Sequence, residues 1–475
     1  MHFPKLPVLG VLAAALTLTA SVSQAATLTR APYLQRVGPD TALVAFRLDA
    51  NCTPEVHYGT QGAMNLVARS ADSGRIHAVP LNGLTPGTEY AYEVLGCGAS
   101  TGTEHFTTAP APGTRHVHFA AMGDFGTGGT DERKVAASIL ANKPDLFLAL
   151  GDNAYPYGTE EEIQTNLFAP LANLLSEVPF FPVPGNHEYL TNEAQPYLNN
   201  LYLPISSSGS QRYYSFDWGD VHFVGLDSNC ATGMASAEHC TTAAQQAWLE
   251  QDLAASQADW KIVYLHHPAW SSGEHGSQPE IRRHYVPLFE KYGVDLVLSG
   301  HDHDYERSQP MLGATVAPSG QRGITYLVVG GGGANLRPMA TASPSWSVIR
   351  NDKDHGYLDI DVTDGTLTAK VLTPDGKQID SFKLTKQLPP LPQPSPGTGE
   401  TPAEPTPQPP VAQVPGTENP GTVQPPAAET PSTPTDSTGL PEATPSSTGC
   451  SAFPAEIFLP LAALSLAEFL RRRRD

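Results

Sequence analysis

The sequence predicts a multidomain protein in which an all-β sandwich precedes an α/β domain built from layers. Residues 27–110 alternate apolar and polar side chains, as at Val44, Phe46 and Leu48, and a period of two is typical of half-buried strands. From residue 115, short apolar runs end in Gly-Asp or Gly-His and are separated by amphipathic helical stretches. This strand–helix alternation predicts the layered α/β domain.

Composition limits the foldable part of the 475-residue chain, whose length suggests two or three domains. Residues 387–449 contain 18 of the 45 prolines and no aromatic residue, Lys or Arg. They bury too little apolar surface to offset chain entropy, so we interpret them as a Pro/Thr-rich disordered linker. The formal charge of −20 argues against nucleic acid as a structural partner, because phosphate backbones bind basic patches.

The N-terminus has the pattern of a secretory signal peptide, predicted over residues 1–25. Lys5 precedes an apolar run from Val8 to about Leu18, and small residues around Ala25 suit cleavage. A transmembrane helix is the alternative, but the run is shorter than the roughly 20 residues that a span requires. We therefore expect export.

Residues 450–475 are expected to form a hydrophobic sorting tail. Cys450 precedes an apolar stretch over 457–467, and an Arg cluster follows at 471–474. This arrangement resembles the processed C-terminal sorting tags of Gram-negative bacteria. A GPI signal and an amphipathic tail lying on a membrane are the alternatives. We expect transient membrane association through the tail, a sorting protease as a partner, and a location in the periplasm, at the outer surface or outside a Gram-negative cell.

Cysteine usage agrees with export, because disulfides persist in oxidising compartments. Cys230 and Cys240 are close enough in sequence to close a local loop, and Cys52 and Cys97 both fall in the N-terminal region, where they could form a second bridge. Cys450 is left over in the tail.

A turn at Pro86-Gly87 places Tyr90, Tyr92 and Val94 on one face of a strand in the N-terminal domain. The segment Leu84–Tyr90 resembles the Leu-x-Pro-x-Thr-x-Tyr corner of fibronectin type III modules, and another small antiparallel sandwich is the alternative.

The α/β domain begins after a short linker. Its apolar runs 146–150 and 296–298 predict strands, and the patterns at 245–253 and 285–289 predict helices. Polar residues at the carboxyl ends of such strands converge on one edge of a sheet. Residues 309–386 return to strand and turn signals, and we expect them to complete the second sheet as the C-terminal part of the catalytic domain.

Five short motifs follow predicted strands, and each supplies a hard or borderline metal donor. Two metal ions about 3.5–4 Å apart hold phosphoryl oxygens and acidify a bound water, which suits the very slow cleavage of phosphate esters. The motifs are Gly123-Asp124-Phe125-Gly126, Gly151-Asp152-Asn153-Ala154-Tyr155, Gly185-Asn186-His187-Glu188, Val263-Tyr264-Leu265-His266 and Gly300-His301-Asp302-His303.

The order of these motifs resembles the calcineurin-like metallophosphoesterase superfamily, and specifically the purple acid phosphatases. The resemblance implies a four-layer α/β metallophosphoesterase sandwich with its core over 114–308, preceded by the purple acid phosphatase N-terminal domain over 27–110. It also implies two metal ions that share Asp152 as a bridging ligand. The implied ligands are Asp124, Asp152, Tyr155 and His303 for Fe(III), and Asn186, His266 and His301 for a divalent Zn, Fe or Mn ion.

Two residues indicate the purple acid phosphatases within the superfamily. Generic members place a histidine two residues after the first aspartate, where this chain has Gly126. Tyr155 replaces the lost ligand, and a phenolate is a hard anion that favours Fe(III). Ferric iron acidifies its bound water strongly, which points to an acid phosphatase.

Histidines near the motifs divide into two groups. By resemblance, His187 and His275 stabilise phosphate oxygens, and one of them protonates the leaving alkoxide. A solvated loop residue is the alternative for His275, since Gly276 stands where plant-type members carry a second histidine. The others are expected to be structural: His116, His118, His222 and His267.

We therefore expect an exported binuclear acid phosphatase that hydrolyses small-molecule phosphate monoesters by attack of a metal-bound hydroxide. One alternative is a phosphodiesterase or nucleotide hydrolase with the same metal pair, a choice set by loops 156–182 and 188–212. The other is a surface-displayed adhesion protein with a residual metal site.

Overall fold

The computed structural model describes residues 25–205, 207 and 209–390. Strands make up most of the regular secondary structure in these residues. The predicted sorting tail, nearly all of the signal peptide and most of the linker lie outside these residues. Within them, no helix has both the length and the apolar character needed to cross a membrane.

The N-terminal part forms two antiparallel sheets, with strand orders β1-β2-β5 and β4-β3-β6-β7, β8 pairing with β6. Val44, Phe46 and Leu48 are buried as predicted, but Ala45 between them is buried as well, so the predicted alternation is only partly present. Buried residues of both sheets join one hydrophobic cluster. The strands are β1 (Leu28–Gln35), β2 (Thr41–Leu48), β3 (Glu55–Gly59), β4 (Leu66–Arg69), β5 (Ile76–Asn82), β6 (Glu89–Gly96), β7 (Ala99–Ser100) and β8 (Glu104–Thr107).

Both predicted disulfides are present. Cys52 and Cys97 are joined with their Cα atoms 6.3 Å apart, and Cys230 and Cys240 with theirs 5.4 Å apart. The first bridge links the loop before β3 to the residue after β6, and the second closes a short loop between β13 and α7.

The rest of the described chain forms two larger sheets and a small hairpin. The six-stranded sheet has the order β11-β10-β9-β21-β22-β23, the seven-stranded sheet has β12-β13-β14-β15-β19-β16-β20, and β17 pairs with β18. The strands are β9 (His116–Met122), β10 (Leu146–Ala149), β11 (Phe180–Pro182), β12 (Tyr214–Trp218), β13 (Val221–Gly225), β14 (Trp260–Tyr264), β15 (Leu296–Ser299), β16 (Tyr305–Ser308), β17 (Met311–Leu312), β18 (Thr315–Val316), β19 (Thr325–Val329), β20 (Ser347–Asn351), β21 (Tyr357–Thr363), β22 (Thr366–Leu372) and β23 (Gln378–Thr385).

Helices cover the outer faces of these two sheets, and the predicted helices at 245–253 and 285–289 are confirmed as α7 and α9. A π-helical turn (Ile163–Phe168) follows α2, and a 3-10 turn (Asn192–Ala194) precedes α5. The α-helices are α1 (Thr130–Asn142), α2 (Glu160–Glu162), α3 (Ala172–Glu177), α4 (Asn186–Tyr189), α5 (Gln195–Asn200), α6 (Asn229–Thr232), α7 (Thr242–Ala255), α8 (Pro279–His284) and α9 (Val286–Lys291).

The alternation of side chains along central strands explains the layers. In β13, Phe223 faces the core between the sheets, whereas Val224 belongs to a second core beneath α7 to α9. Phe223 meets Phe119 of the other sheet with ring centroids 5.1 Å apart. Because adjacent strand residues point to opposite faces, this fully buried strand contributes side chains to both cores. The metallophosphoesterase-like layering expected from the sequence is present.

Two expectations from the sequence are corrected. Residues 309–386 do not only complete the second sheet, since β21 to β23 extend the first sheet through antiparallel pairing of β21 with β9. The segments 156–182 and 188–212 are not simple loops, because they contain helices and strand β11. Short amphipathic turns with irregular spacing carry little periodic signal, which is why the sequence pattern did not reveal them.

His222 on β13 makes a structural ion pair, in agreement with its expected role. Its ring contacts Asp217 at 2.6 Å and Asp252 at 2.9 Å. Burial alone would lower the pKa of His222, but these two carboxylates raise it to about 9. Between about pH 6.5 and 9, the His222 ring is therefore protonated in the folded protein and neutral in the unfolded chain.

We predict that replacing His222 by Gln destabilises the protein in a pH-dependent manner. The contribution of His222, about 3 kcal/mol at most, is fully present below about pH 6.5 and is lost as the pH rises through 9. Urea unfolding of both proteins at pH 6 and pH 9.5 measures it, with exposed His239→Gln as the control. A penalty that is equal at both pH values would contradict the prediction.

Candidate metal centre

The predicted site residues meet at one edge of the two sheets. Asp124, Asp152 and Asn186 follow β9, β10 and β11, while His266 and the pair His301/His303 follow β14 and β15. Since β9–β10–β11 and β14–β15 pair in parallel, their carboxyl ends point the same way. The structure brings all seven candidate metal ligands together.

The first group of donors consists of Asp124, Tyr155 and His303. Tyr155 Oη lies 3.2 Å from Asp124 Oδ1 and 3.1 Å from His303 Nε2. His303 Nε2 is 3.7 Å from Asp124 Oδ1. The other ring nitrogen, His303 Nδ1, donates to Asn335 O at 2.9 Å. This bond leaves Nε2 as the lone-pair atom that faces the group.

The second group of donors consists of Asn186, His266 and His301. Asn186 Oδ1 lies 2.9 Å from His266 Nε2 and 3.0 Å from His301 Nδ1, and these two nitrogens are 3.2 Å apart. His266 Nδ1 contacts Leu150 O at 2.9 Å, so its Nε2 also presents a lone pair. Lone pairs converging this closely repel one another unless a cation lies between them.

Asp152 stands at the junction of the two groups. Its Oδ1 lies 3.4 Å from His266 Nε2, and its carboxylate also interacts with the Tyr155 hydroxyl. Ligand atoms of Asp124, Asp152 and His266, three buried residues, all lie within 4.8 Å of one another. The donor chemistry fits two cations that share Asp152, with three further donors on each side.

Backbone strain is concentrated at the same residues. Asp124, Asp152 and His301 have φ values of 55°, 50° and 74°, in the left-handed region that residues other than Gly seldom occupy. Such conformations persist where the surrounding structure fixes them, and they cluster at functional sites. Here each one turns a donor side chain away from its strand and into the site.

The electrostatics of the protein groups favour a cation. Burial, reinforced by the charges of Asp124 and Asp152, raises the pKa of Tyr155 well above its usual value. Burial and the charge of Asp152 likewise raise the pKa of Asp124, against the opposing effect of His266. Burial lowers the pKa of His266, but Asp152 more than compensates and raises it to about 10. A bound cation would take over the role of these protons.

His187 and His275 flank the seven donors on different sides. His187 Nδ1 donates to Pro156 O at 2.6 Å, and its Nε2 lies 3.8 Å from Asp152 Oδ2. Its ring meets Tyr155 edge-on. The His275 ring stacks on His301 with centroids 4.4 Å apart. His275 itself is exposed and lies in a loop, and this stacking places it at the border of the donor set.

Of the histidines expected to be structural, His116 and His118 pair with Asp361 and Asp359 of β21. His267 is buried and packs against the rings of both His266 and His301. Its Nδ1 contacts Ser228 Oγ at 2.8 Å. His267 therefore fixes the rings of two candidate ligands, His266 and His301, by packing against them.

Glu188 supports the site through the backbone but was not predicted from the sequence. Glu188 is fully buried and accepts bonds from the backbone N–H groups of Asn153, Ala154 and Gly185 at 2.6–3.0 Å. It thereby ties the Asp152 motif to the Asn186 motif. The Gly-Asn-His-Glu motif contained a signal for Glu188, because a carboxylate beside a tight turn readily accepts backbone N–H groups.

Comparisons with known proteins relate the chain to phosphoesterases. Residues 117–305 match the calcineurin-like phosphoesterase family, and residues 323–381 match the iron/zinc purple acid phosphatase-like protein C family. Purple acid phosphatase 15 of Arabidopsis thaliana is 32% identical over 309 residues, covering 56% of this chain and 55% of that protein. The chain thus spans about half the length of that relative.

Two further proteins extend the likeness. Acid phosphatase type 7 of Mus musculus is 27% identical over 400 residues, which cover 74% of this chain and 89% of the mouse protein. A purple acid phosphatase from yellow lupin (Lupinus luteus) seeds superposes with a TM-score of 0.62 and 21% identity, covering 74% of each chain. At that identity the superposition shows a shared fold. The relation to purple acid phosphatases predicted from the motifs is confirmed.

Proposed function

We propose that the chain is a binuclear acid phosphatase acting on phosphate monoesters, because residues 117–305 match the calcineurin-like phosphoesterase family and residues 323–381 match the iron/zinc purple acid phosphatase-like protein C family. One observation carries the proposal: seven donor side chains converge in two groups that share Asp152. The substrates are small phosphate esters, which a centre at an open sheet edge admits.

The residues present fit two ions of different character. Asp124, Tyr155 and His303 would hold Fe(III), for which a phenolate is a suitable donor. Asn186, His266 and His301 would hold a divalent Zn, Fe or Mn ion, and Asp152 would contact both. When bound, the ions supply positive charge to phosphoryl oxygens and acidify a water molecule.

The flanking histidines would complete the chemistry. His187 is oriented by its bond to Pro156 O and would hold a phosphate oxygen or pass a proton to the leaving alkoxide. His275, stacked on His301, would contact the phosphate from the other side. The proposed roles of His187 and His275 follow from the positions of their rings beside the donor groups.

Export and the identity of the N-terminal module are further parts of the proposal. Two disulfides support an oxidising compartment. A hydrogen bond from Thr85 N to Tyr90 Oη at 3.0 Å has the form of a tyrosine corner, which supports the fibronectin type III-like assignment of residues 27–110.

Replacing Tyr155 by Phe tests the assignment of the first donor group. Purified protein is expected to be violet, because a phenolate bound to ferric iron absorbs visible light, and to hydrolyse p-nitrophenyl phosphate at pH 5. The variant is expected to lose the colour and most of the activity. Visible spectra, iron content and rates at pH 5 and pH 8 measure these properties.

Tyr157→Phe is the matched control, since this neighbouring tyrosine is exposed. It should leave both the colour and the rate unchanged. Colourless, inactive protein that nevertheless carries a full load of iron would overturn the proposed function.

A further inference from the structure

Arg337 reaches the candidate metal centre from a segment that contributes none of the seven donors. The segment begins with the glycine run 330–333, which packs under the first motif: Gly332 N donates to Gly123 O at 3.1 Å. A side chain at Gly330 would meet Asp302 O at 2.0 Å. The glycines therefore allow this segment to pass directly beneath the ligand loops.

The backbone around Arg337 is fastened to the ligand His303. His303 Nδ1 donates to Asn335 O at 2.9 Å, and Arg337 N donates to His303 O at 3.2 Å. Arg337 is thus held in place beside the first donor group.

The guanidinium of Arg337 also bonds to His275. Its Nη1 donates to His275 Nε2, and the His275 ring stacks on the ligand His301. The nearest carboxylate partner is Glu274, 3.7 Å from Arg337 Nε, whose side chain is 54% exposed. At this distance and with an exposed carboxylate the ion pair is weak, so Glu274 leaves most of the positive charge of Arg337 available to a ligand.

We propose that Arg337 is a substrate-binding residue that selects phosphate monoesters over diesters. The inference rests on the proposed function, since it concerns the substrate class of the same centre. A monoester carries up to two negative charges on three free phosphoryl oxygens, whereas a diester carries one charge on two. A guanidinium at the edge of the site offers paired N–H donors for that additional oxygen.

The test compares Arg337→Gln with the unsubstituted enzyme on p-nitrophenyl phosphate and bis-p-nitrophenyl phosphate. Loss of one charge-assisted contact is expected to lower kcat/KM for the monoester about 10- to 100-fold and for the diester by less than about threefold. The affinity for inorganic phosphate, measured by calorimetry on the purified protein, should fall about tenfold or more. Arg337→Lys should recover part of both properties.

Arg283→Gln is the matched control, because Arg283 is an exposed arginine paired with Glu280 on α8. Equal losses for both esters in Arg337→Gln would show that Arg337 only supports His275 and His303, and no loss would show that it does not touch substrate. Either result overturns the proposal. If the unsubstituted protein hydrolyses neither ester, the proposed function fails, while the phosphate affinities still decide whether Arg337 binds the anion.

Discussion

Replacing Asp152 by Asn is expected to reduce phosphatase activity about 10³-fold or more and to empty both halves of the metal centre. Asp152 is buried and lies between the two donor groups. Asn has nearly the same size but lacks the negative charge, so the change removes the one anion that both ions would share. Activity on p-nitrophenyl phosphate and metal content per chain by mass spectrometry measure the effect.

The matched control for this prediction is Asp145→Asn. Asp145 lies just before β10, at the end of the strand opposite to Asp152, where it accepts a bond from His118 N at 2.8 Å. Its replacement should leave metal content and rate close to those of the unsubstituted protein. If Asp152→Asn retained two metal ions per chain, Asp152 would not be the bridge between the donor groups.

The strand-end motifs were predictable because each is a local feature. An apolar run followed by Gly and a polar donor predicts both a strand and the position of its carboxyl end. Parallel pairing then brings separate motifs to one edge without knowledge of distant contacts. Asp124, Asp152 and His301 could thus be predicted to converge, whereas their left-handed backbone could not be read from the residue types alone.

Contacts between distant segments were not predictable. Arg337 lies 34 residues after His303 in an irregular segment, and a lone arginine there carries no signal for its partner. Similarly, Arg30 of the N-terminal part is buried against the Phe168 ring at 3.7 Å and donates to Asn200 Oδ1 at 2.8 Å. Phe168 lies in the π-helical turn and Asn200 in α5, so these contacts join residues 134 or more positions apart in the sequence.

The extension of the first sheet by β21 to β23 is another long-range effect. The alternating strand pattern of residues 357–385 would suit the edge of either sheet. What decides is the pairing of β21 with β9, such as Ile360 with Phe119, at the centre of the first sheet. The choice between the two sheets depends on which side chains pack together in the hydrophobic cores. The residue pattern within one strand does not encode this packing.

Replacing Gly185 by Ala is expected to lower activity about 10²-fold or more, although Gly185 is not itself a donor. A Cβ atom at Gly185 would lie 2.0 Å from Asp152 Oδ1 and 2.2 Å from Asp152 N. Neither atom can yield easily, because Asp152 Oδ1 also accepts the His187 N–H at 3.0 Å and Glu188 holds the adjoining backbone. The added methyl group must therefore displace the shared carboxylate.

The glycine prediction separates steric effects from general effects of Gly→Ala replacement. At Gly74, in the N-terminal part, a Cβ would meet no atom within 4 Å, so Gly74→Ala should leave activity and metal content unchanged and the protein at least as stable. In Gly185→Ala, overpacking should cost about 1–3 kcal/mol of stability as well. Rates, metal content and urea unfolding of both variants measure these effects. An active Gly185→Ala with a normal metal content would mean that Asp152 can move without loss of function. The close approach of the two motifs would then be incidental to the chemistry.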